Sequence, residues 1–279
     1  MIIIGERINT TVKKVRNAVI NRDEEFLKEM ALSQVKYGAD YLDCMVGGID
    51  NAYEHMLWLV EFLQKTVDCP LCLDSDDINL LKSMMKKVDS KHIGIINSVS
   101  GMSGKCETLF PVVAGTSWKV VALTCNDTGI PESTDEKIEI VKSILKKADQ
   151  IGVKREQLIF DPCIMALIAK PNMMMDFIKD TQAIKKLVPE CSVMGAVSNI
   201  SYEMPARSVI NSTCLIMAAQ AGADVLMVNP CNQDIINARY AVNVLMNQDQ
   251  RGIAYNRAWR NGQVEGRKEI KHTEGDLND

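Results

Sequence analysis

Eight residues of one chemical kind recur along this 279-residue chain at a regular interval. Glu6, Asp43, Asp74, Asn97, Asn126, Asp161, Asn199 and Asn229 each follow or end a short aliphatic run, about 32 residues apart on average. Carboxylates and amides in that number, with no lysine or histidine among them, make a polar surface with few cations. Aspartate and asparagine are also ordinary turn formers, because their side chains bond nearby backbone. That explains any one of the eight. A ring of them points to a shared ligand.

Several ligand classes do not suit such a ring. A phosphorylated sugar calls for a glycine-rich loop after the seventh or eighth run, and residues 198–207 (SNISYEMPAR) and 229–233 (NPCNQ) have none. A Schiff-base enzyme needs a lysine there. Glu6, Asp74 and Asp161 are eligible metal ligands, but no histidine joins them, so no bound metal is expected. His55, His92 and His272 are read as structural or solvated, and Cys69 with Cys72 is a lone CxxC without a second pair. A neutral heterocycle fits better. The edge of an aminopyrimidinone presents an amine and a ring N–H side by side, and a carboxylate accepts both in a charge-assisted pair. Asparagine both donates and accepts, so it reads carbonyls and ring nitrogens. Guanine and pterin satisfy this chemistry equally.

The elements that must position these groups are legible. Aliphatic runs at 2–4, 41–46, 71–73, 93–96, 120–123, 158–160, 193–197 and 225–228 alternate with longer stretches of helical period. Ser133 to Glu136 is a capping box leading into an apolar face of Ile138, Val141, Leu145 and Ala148. Asn51 with Glu54 opens another helix in the same way. Gly38-Ala39-Asp40 and Gly222-Ala223-Asp224 repeat one helix-to-strand joint, where glycine accepts the left-handed conformation. Eight such units predict an α/β fold, a (β/α)8 TIM barrel with its site at the carboxyl ends of the strands. The competing open doubly wound sheet lacks support, since no GxGxxG follows the first strand. Residues 1–250 are assigned to the barrel, and 251–279 to a C-terminal extension, partly disordered.

Composition narrows the setting. An apolar fraction of 47% supplies a large core, and with only 5% aromatic residues, aliphatics and sixteen methionines must fill much of it. A net charge of −4 argues against nucleic-acid or anionic-membrane partners. No apolar stretch reaches the roughly 18–20 residues of a membrane span, and no signal peptide precedes Ile2. Nine cysteines without framework spacing fit a reduced cytoplasm.

The stretch GERIN at 5–9 resembles the opening of the pterin-binding methyltransferases. That family includes the methyltetrahydrofolate–corrinoid protein methyltransferases and the folate domain of cobalamin-dependent methionine synthase. Further matches are LCLDS at 71–75, INS at 96–98, NDTGIP at 126–131, Asp161-Pro162, Ser198-Asn199, and Arg207 with Asn211. The resemblance implies a pterin-binding barrel, commonly a homodimer, with tetrahydrofolate or 5-methyltetrahydrofolate as substrate. It implies that Asp74, Asn97 and Asp161 hold the pterin ring and that Asn199 approaches N5. Glu6 and Asn9 match positions near the same site, and Arg207 is carried over as a lining residue. One departure stands out: the family's Asp-x-Asn-Val-Gly after the second strand is here Asp43-Cys44-Met45-Val46-Gly47, which exchanges an amide for Met45.

The reaction so implied moves a methyl group between folate N5 and the cobalt of a corrinoid, in either direction. Asn199 and Asp161 are the expected catalytic residues: the amide orients and stabilises a proton at N5 that it cannot itself supply. No Asp-x-His-x-x-Gly occurs, so the corrinoid belongs to a partner protein. The alternatives are a dihydropteroate synthase-like enzyme, which needs basic residues on the last strand ends, a folate-binding protein without chemistry, and a metal-dependent barrel lyase.

Overall fold

Each aliphatic run becomes a strand and the periodic stretches become helices, with one α-helix between successive strands except after β1, where there are two. The computed structural model describes residues 1–266. The strands are β1 (Ile2–Gly5), β2 (Tyr41–Met45), β3 (Leu71–Asp74), β4 (Ile95–Ser100), β5 (Lys119–Leu123), β6 (Leu158–Asp161), β7 (Ser192–Ala196) and β8 (Val225–Val228). All are parallel and paired in chain order, and β1 also pairs with β8, so the sheet closes into a barrel. The helices are α1 (Lys13–Ile20), α2 (Glu24–Lys36), α3 (Ala52–Thr66), α4 (Ile78–Met85), α5 (Lys105–Val113), α6 (Thr134–Ile151), α7 (Met173–Leu187), α8 (Arg207–Ala221), α9 (Gln233–Leu245) and α10 (Ile253–Arg260).

Strands buried on both faces carry near-continuous apolar sequence, as parallel strands do. One set of side chains, including Ile4, Cys72, Ile95, Val121, Ile159 and Met194, fills the barrel interior. The opposite set packs outward against the helices in two larger clusters. The residues two places beyond an inward-facing core residue also face inward. Cys72, Ile95 and Ile159 therefore deliver Asp74, Asn97 and Asp161 to the mouth.

Local punctuation behaves largely as read. Ser133 and Glu136 form a reciprocal capping box at the start of α6. Gly38 and Gly222 have φ of +88° and +108°, the left-handed turn required at both helix-to-strand joints. Gly5 answers a different need. A Cβ there would stand 2.6 Å from Gln34 Oε1 of α2, the oxygen that accepts the Arg7 N–H at 3.1 Å. Asn51 departs from expectation: it precedes α3 in a left-handed conformation, and its side chain makes no cap bond. Beyond the barrel, α10 and the residues after it return to α9, where Gln233 and Asn237 donate to the carbonyls of Gln263 and Glu265. The disorder expected for the end of the extension falls on residues 267–279, outside those described.

Candidate functional site

A cavity of about 970 Å³ opens at the carboxyl ends of the strands. Glu6, Asn9, Asp74, Asn97, Asp161, Asn199 and Arg207, the residues singled out from sequence, all line it. Three strands supply the acceptor wall. Asp74 and Asn97 are direct partners in the β3–β4 register, and Asn97 Nδ2 donates to Asp74 Oδ2 at 2.9 Å. Asp161 ends β6, and its Oδ1 accepts the Cys163 N–H at 2.8 Å, an Asx turn for which Cys163 takes a φ of +66°.

The other wall comes from β1 and from the segment after β7. Asn199 does not end a strand: it lies on a 3₁₀ turn at Val197–Ser201. Arg207, at the start of α8, braces that turn with a fork, Nη2 to the Ser198 carbonyl at 2.8 Å and Nε to Ser201 Oγ at 3.0 Å. Ser201 Oγ in turn donates to Asn211 Oδ1 at 2.7 Å. Arg207 therefore acts on the turn beside it, a different role from a surface ion pair. Ser198 Oγ donates to Glu6 Oε2 at 2.7 Å, joining the first strand to the turn that carries Asn199. Asn9 spends its Oδ1 locally, on the Thr11 N–H and hydroxyl.

The carboxyls of this mouth are poised near neutrality. Burial pushes Glu6 up to about 7, opposed by the Ser198 hydrogen bond and the Arg207 charge. Burial raises Asp74 to about 7, with Asn97 opposing and Asp76 adding repulsion. Asp161 is raised to about 6 by burial, and the Cys163 N–H and the Lys137 charge limit the rise. Such groups ionise readily once a ligand supplies N–H donors, because hydrogen bonds to the charged form favour it.

Two of the eight expected strand ends are elsewhere. Asp43 sits two residues inside the end of β2, in register with Cys72 and fully buried in the barrel interior. Asn126 lies past β5, where its Oδ1 accepts from Thr128 and its backbone closes a turn with Gly129. The Met45 exchange does not open the second-strand wall. Met45 pairs through its backbone with Ile8 and Thr10, and its sulfur rests on the Thr10 hydroxyl. Sequence reasoning also passed over Lys137, and it named Ser198 as part of the Ser198-Asn199 match without giving it a role. Lys137 gave no signal, since it continues the polar first turn of α6, after Asp135 and Glu136.

Among the described residues no group of three or more histidine, cysteine, aspartate or glutamate side chains is arranged to hold a metal ion. His92 is buried between the Asp89 carboxylate and the Val67 carbonyl. The nine cysteines are all free thiols. Cys125, after β5, and Cys163, after β6, are in contact, and the Cys163 thiol bond lowers Cys125 to about 7.

Comparison with known proteins follows the same lines. The profile of a family described as "pterin binding enzyme" matches residues 5–229. A methylcorrinoid:tetrahydrofolate methyltransferase of Eubacterium limosum is 31% identical over 267 residues, covering 95% of this chain and 98% of that one. A methionine synthase of Mycobacterium leprae is 29% identical over 82% of this chain, which spans 20% of that longer protein. Among solved structures, a Clostridium difficile dihydropteroate synthase superposes with a TM-score of 0.69 at 17% identity, covering 88% of this chain and 96% of that one. At that identity the likeness is one of fold.

Proposed function

Because this chain belongs to the pterin-binding enzyme family, we propose that it is a methyltransferase acting between N5 of tetrahydrofolate and the cobalt of a corrinoid carried on a separate protein. The observation that carries this reading is the Asp74–Asn97 pair and Asp161 lining one cavity with the braced turn of Asn199. The acceptors suit the amine and ring N–H edge of a pterin. The amide of Asn199 suits a nitrogen that gains or loses a proton. The near-full-length similarity to a methylcorrinoid:tetrahydrofolate methyltransferase supports the same reaction.

When 5-methyltetrahydrofolate is the donor, the N5–methyl bond breaks and its electron pair stays on nitrogen, which takes up a proton. The methyl group goes to Co(I), whose two electrons form the new bond. In the opposite direction N5–H gives up a proton as the nitrogen receives the methyl group. Both directions need a place for one proton at neutral pH. Glu6, raised to about 7 and bonded to Ser198, and Asp161, raised to about 6, can hold or release it. Asn199 orients the proton, and stabilisation concentrated in the transition state is what accelerates the step.

A dihydropteroate synthase-like reaction shares the fold alone. The ends of β7 and β8 are Ala196 and Val228, with Asn229 beyond, and the cation that follows β7, Arg207, is engaged with Ser198 and Ser201. We assign residues 1–250 to the catalytic barrel and 251–279 to an extension. The enzyme works as a cytoplasmic homodimer in one-carbon metabolism, without a resident metal. Nine free thiols suit a reducing compartment, and no helix among the described residues is long and apolar enough to cross a membrane.

The test is an anaerobic spectrum of Co(I) cobalamin with 5-methyltetrahydrofolate, with and without the protein. Protein-dependent formation of methylcobalamin establishes the reaction class. Folate binding without conversion, even when corrinoid proteins are supplied, leaves a binding protein. No folate binding removes the reading.

A further inference from the structure

Lys137 is a buried cation in the apolar layer between the barrel and its helices. Its side chain is 1% exposed, and that of its partner Asp180, on α7, is 3% exposed. The ammonium donates to Asp180 Oδ2 at 2.7 Å and to the carbonyl of Pro162 at 2.9 Å. The other oxygen of Asp180 accepts from Thr134 Oγ1 at 2.6 Å. Packing does not require this arrangement. The inner face of α6 is otherwise Ile140, Val141, Ile144 and Leu145, and replacing a buried ion pair with apolar groups of similar volume is often neutral or stabilising. What distinguishes the pair is its third contact. Pro162 is the residue after Asp161, and Asp161 in turn is tied to the left-handed Cys163. The turn is thus fixed at a carbonyl by Lys137 and at an amide by the carboxyl of Asp161.

We propose that Lys137, held by Asp180, is the positioning residue for Asp161: it pins the Pro162 carbonyl and places a buried positive charge behind the turn, so that the Asp161 carboxyl meets ligand N–H donors as a correctly aimed anion. The proposal rests on the pterin reading for the identity of those donors. Lys137 is the cation acting on Asp161 and restrains its rise. The Asp161 charge in turn acts on the thiols of Cys125, from the loop after β5, and Cys163. Asp180 acts through Lys137, whose charge it holds in place.

The test uses the full chain carrying Lys137→Met with Asp180→Leu, an apolar replacement of the pair. A second double variant, Lys137→Gln with Asp180→Asn, keeps hydrogen bonding and removes both charges should the first not fold. Carbon-13 NMR of aspartate carboxyls, with Asp161 assigned by loss of its signal in Asp161→Asn, follows its titration without ligand. The midpoint is expected to rise by about half a pH unit or more. Tetrahydrofolate binding is expected to weaken about twofold at pH 6 and to recover as pH rises past 7. An unchanged Asp161 midpoint with unchanged affinity, in a folded variant, overturns the proposal and leaves the pair a structural tie. A wild-type protein that binds no tetrahydrofolate overturns the functional reading instead, and the Asp161 titration still decides the role of Lys137.

Discussion

Arg207 grips the Ser198 carbonyl at 2.8 Å from the first residue of α8, and so ties a helix start to the turn bearing Asn199. The same guanidinium reaches Ser201 Oγ through Nε. Its planar fork serves two acceptors at once, which a lysine ammonium on a flexible stem does not reproduce. Arg207→Lys and Arg207→Met are both expected to reduce methyl transfer about tenfold, ~1.4 kcal/mol of transition-state stabilisation. The loss should appear in kcat more than in KM. Wild-type kcat in Arg207→Lys would mean that charge alone is enough there.

Asn199 and Asp74 separate chemistry from binding. Asn199→Ala removes the amide expected at N5 and should cut methyl transfer at least tenfold, about 1.4 kcal/mol, with folate affinity less affected. Asp74→Ala removes the acceptor of the pterin edge and leaves Asn97 Nδ2 without its partner, so folate binding should be lost. Titration and single-turnover rates distinguish the two. Equal losses of rate and affinity in Asn199→Ala reduce that residue to a contact, and tight folate binding by Asp74→Ala removes the pterin site.

The barrel was legible because its signal is repeated: eight aliphatic runs in series, each punctuated by the same kinds of residue. The site was legible where a side chain continues the inward row of its own strand, as with Asp74, Asn97 and Asp161. It was less legible where position depends on register. Asp43 lies inside its run at 41–46, whereas Asp74 closes its own, so β2 continues two residues past Asp43 and carries it below the mouth. Lys137 was invisible because what makes it a core residue lies 25 and 43 residues away, at Pro162 and Asp180.

Asp43 itself invites a substitution. Both carboxyl oxygens are buried without a well-aligned hydrogen bond among the described residues, the Cys72 thiol and the Cys44 N–H being only weak neighbours. Burial and the nearby Asp74 charge push its pKa well up, and the Cys72 thiol and Cys44 N–H offset little of that. An unpaired buried carboxylate is costly, so Asp43 is expected to be held as a neutral acid. Asp43→Asn, uncharged and of the same shape, should fold with stability within about 1 kcal/mol of wild type and bind folate as well. The infrared band of a protonated carboxyl should disappear with the substitution. Collapse of binding in a folded Asp43→Asn, with no such band in the wild type, would make Asp43 an anion.

The mouth carboxyls also fix how stability varies with pH. Glu6 and Asp74 are raised to about 7 and Asp161 to about 6, against ordinary values of 4.5, 3.8 and 3.8. Between the ordinary and raised values the folded chain holds more protons than the unfolded chain, so this cluster destabilises the fold as pH rises from about 4 to about 7. The unliganded protein should accordingly melt at a lower temperature near pH 8 than near pH 6. Asp74→Asn, which cannot ionise, should flatten that slope, and the comparison between the two proteins isolates the cluster from other titrating groups. A pterin reverses the sign locally, because its N–H donors favour the carboxylates; tetrahydrofolate should raise the melting temperature more at pH 8 than at pH 6. Parallel slopes for wild type and Asp74→Asn would show that Asp74 is already ionised in the empty site, with its ordinary proton affinity.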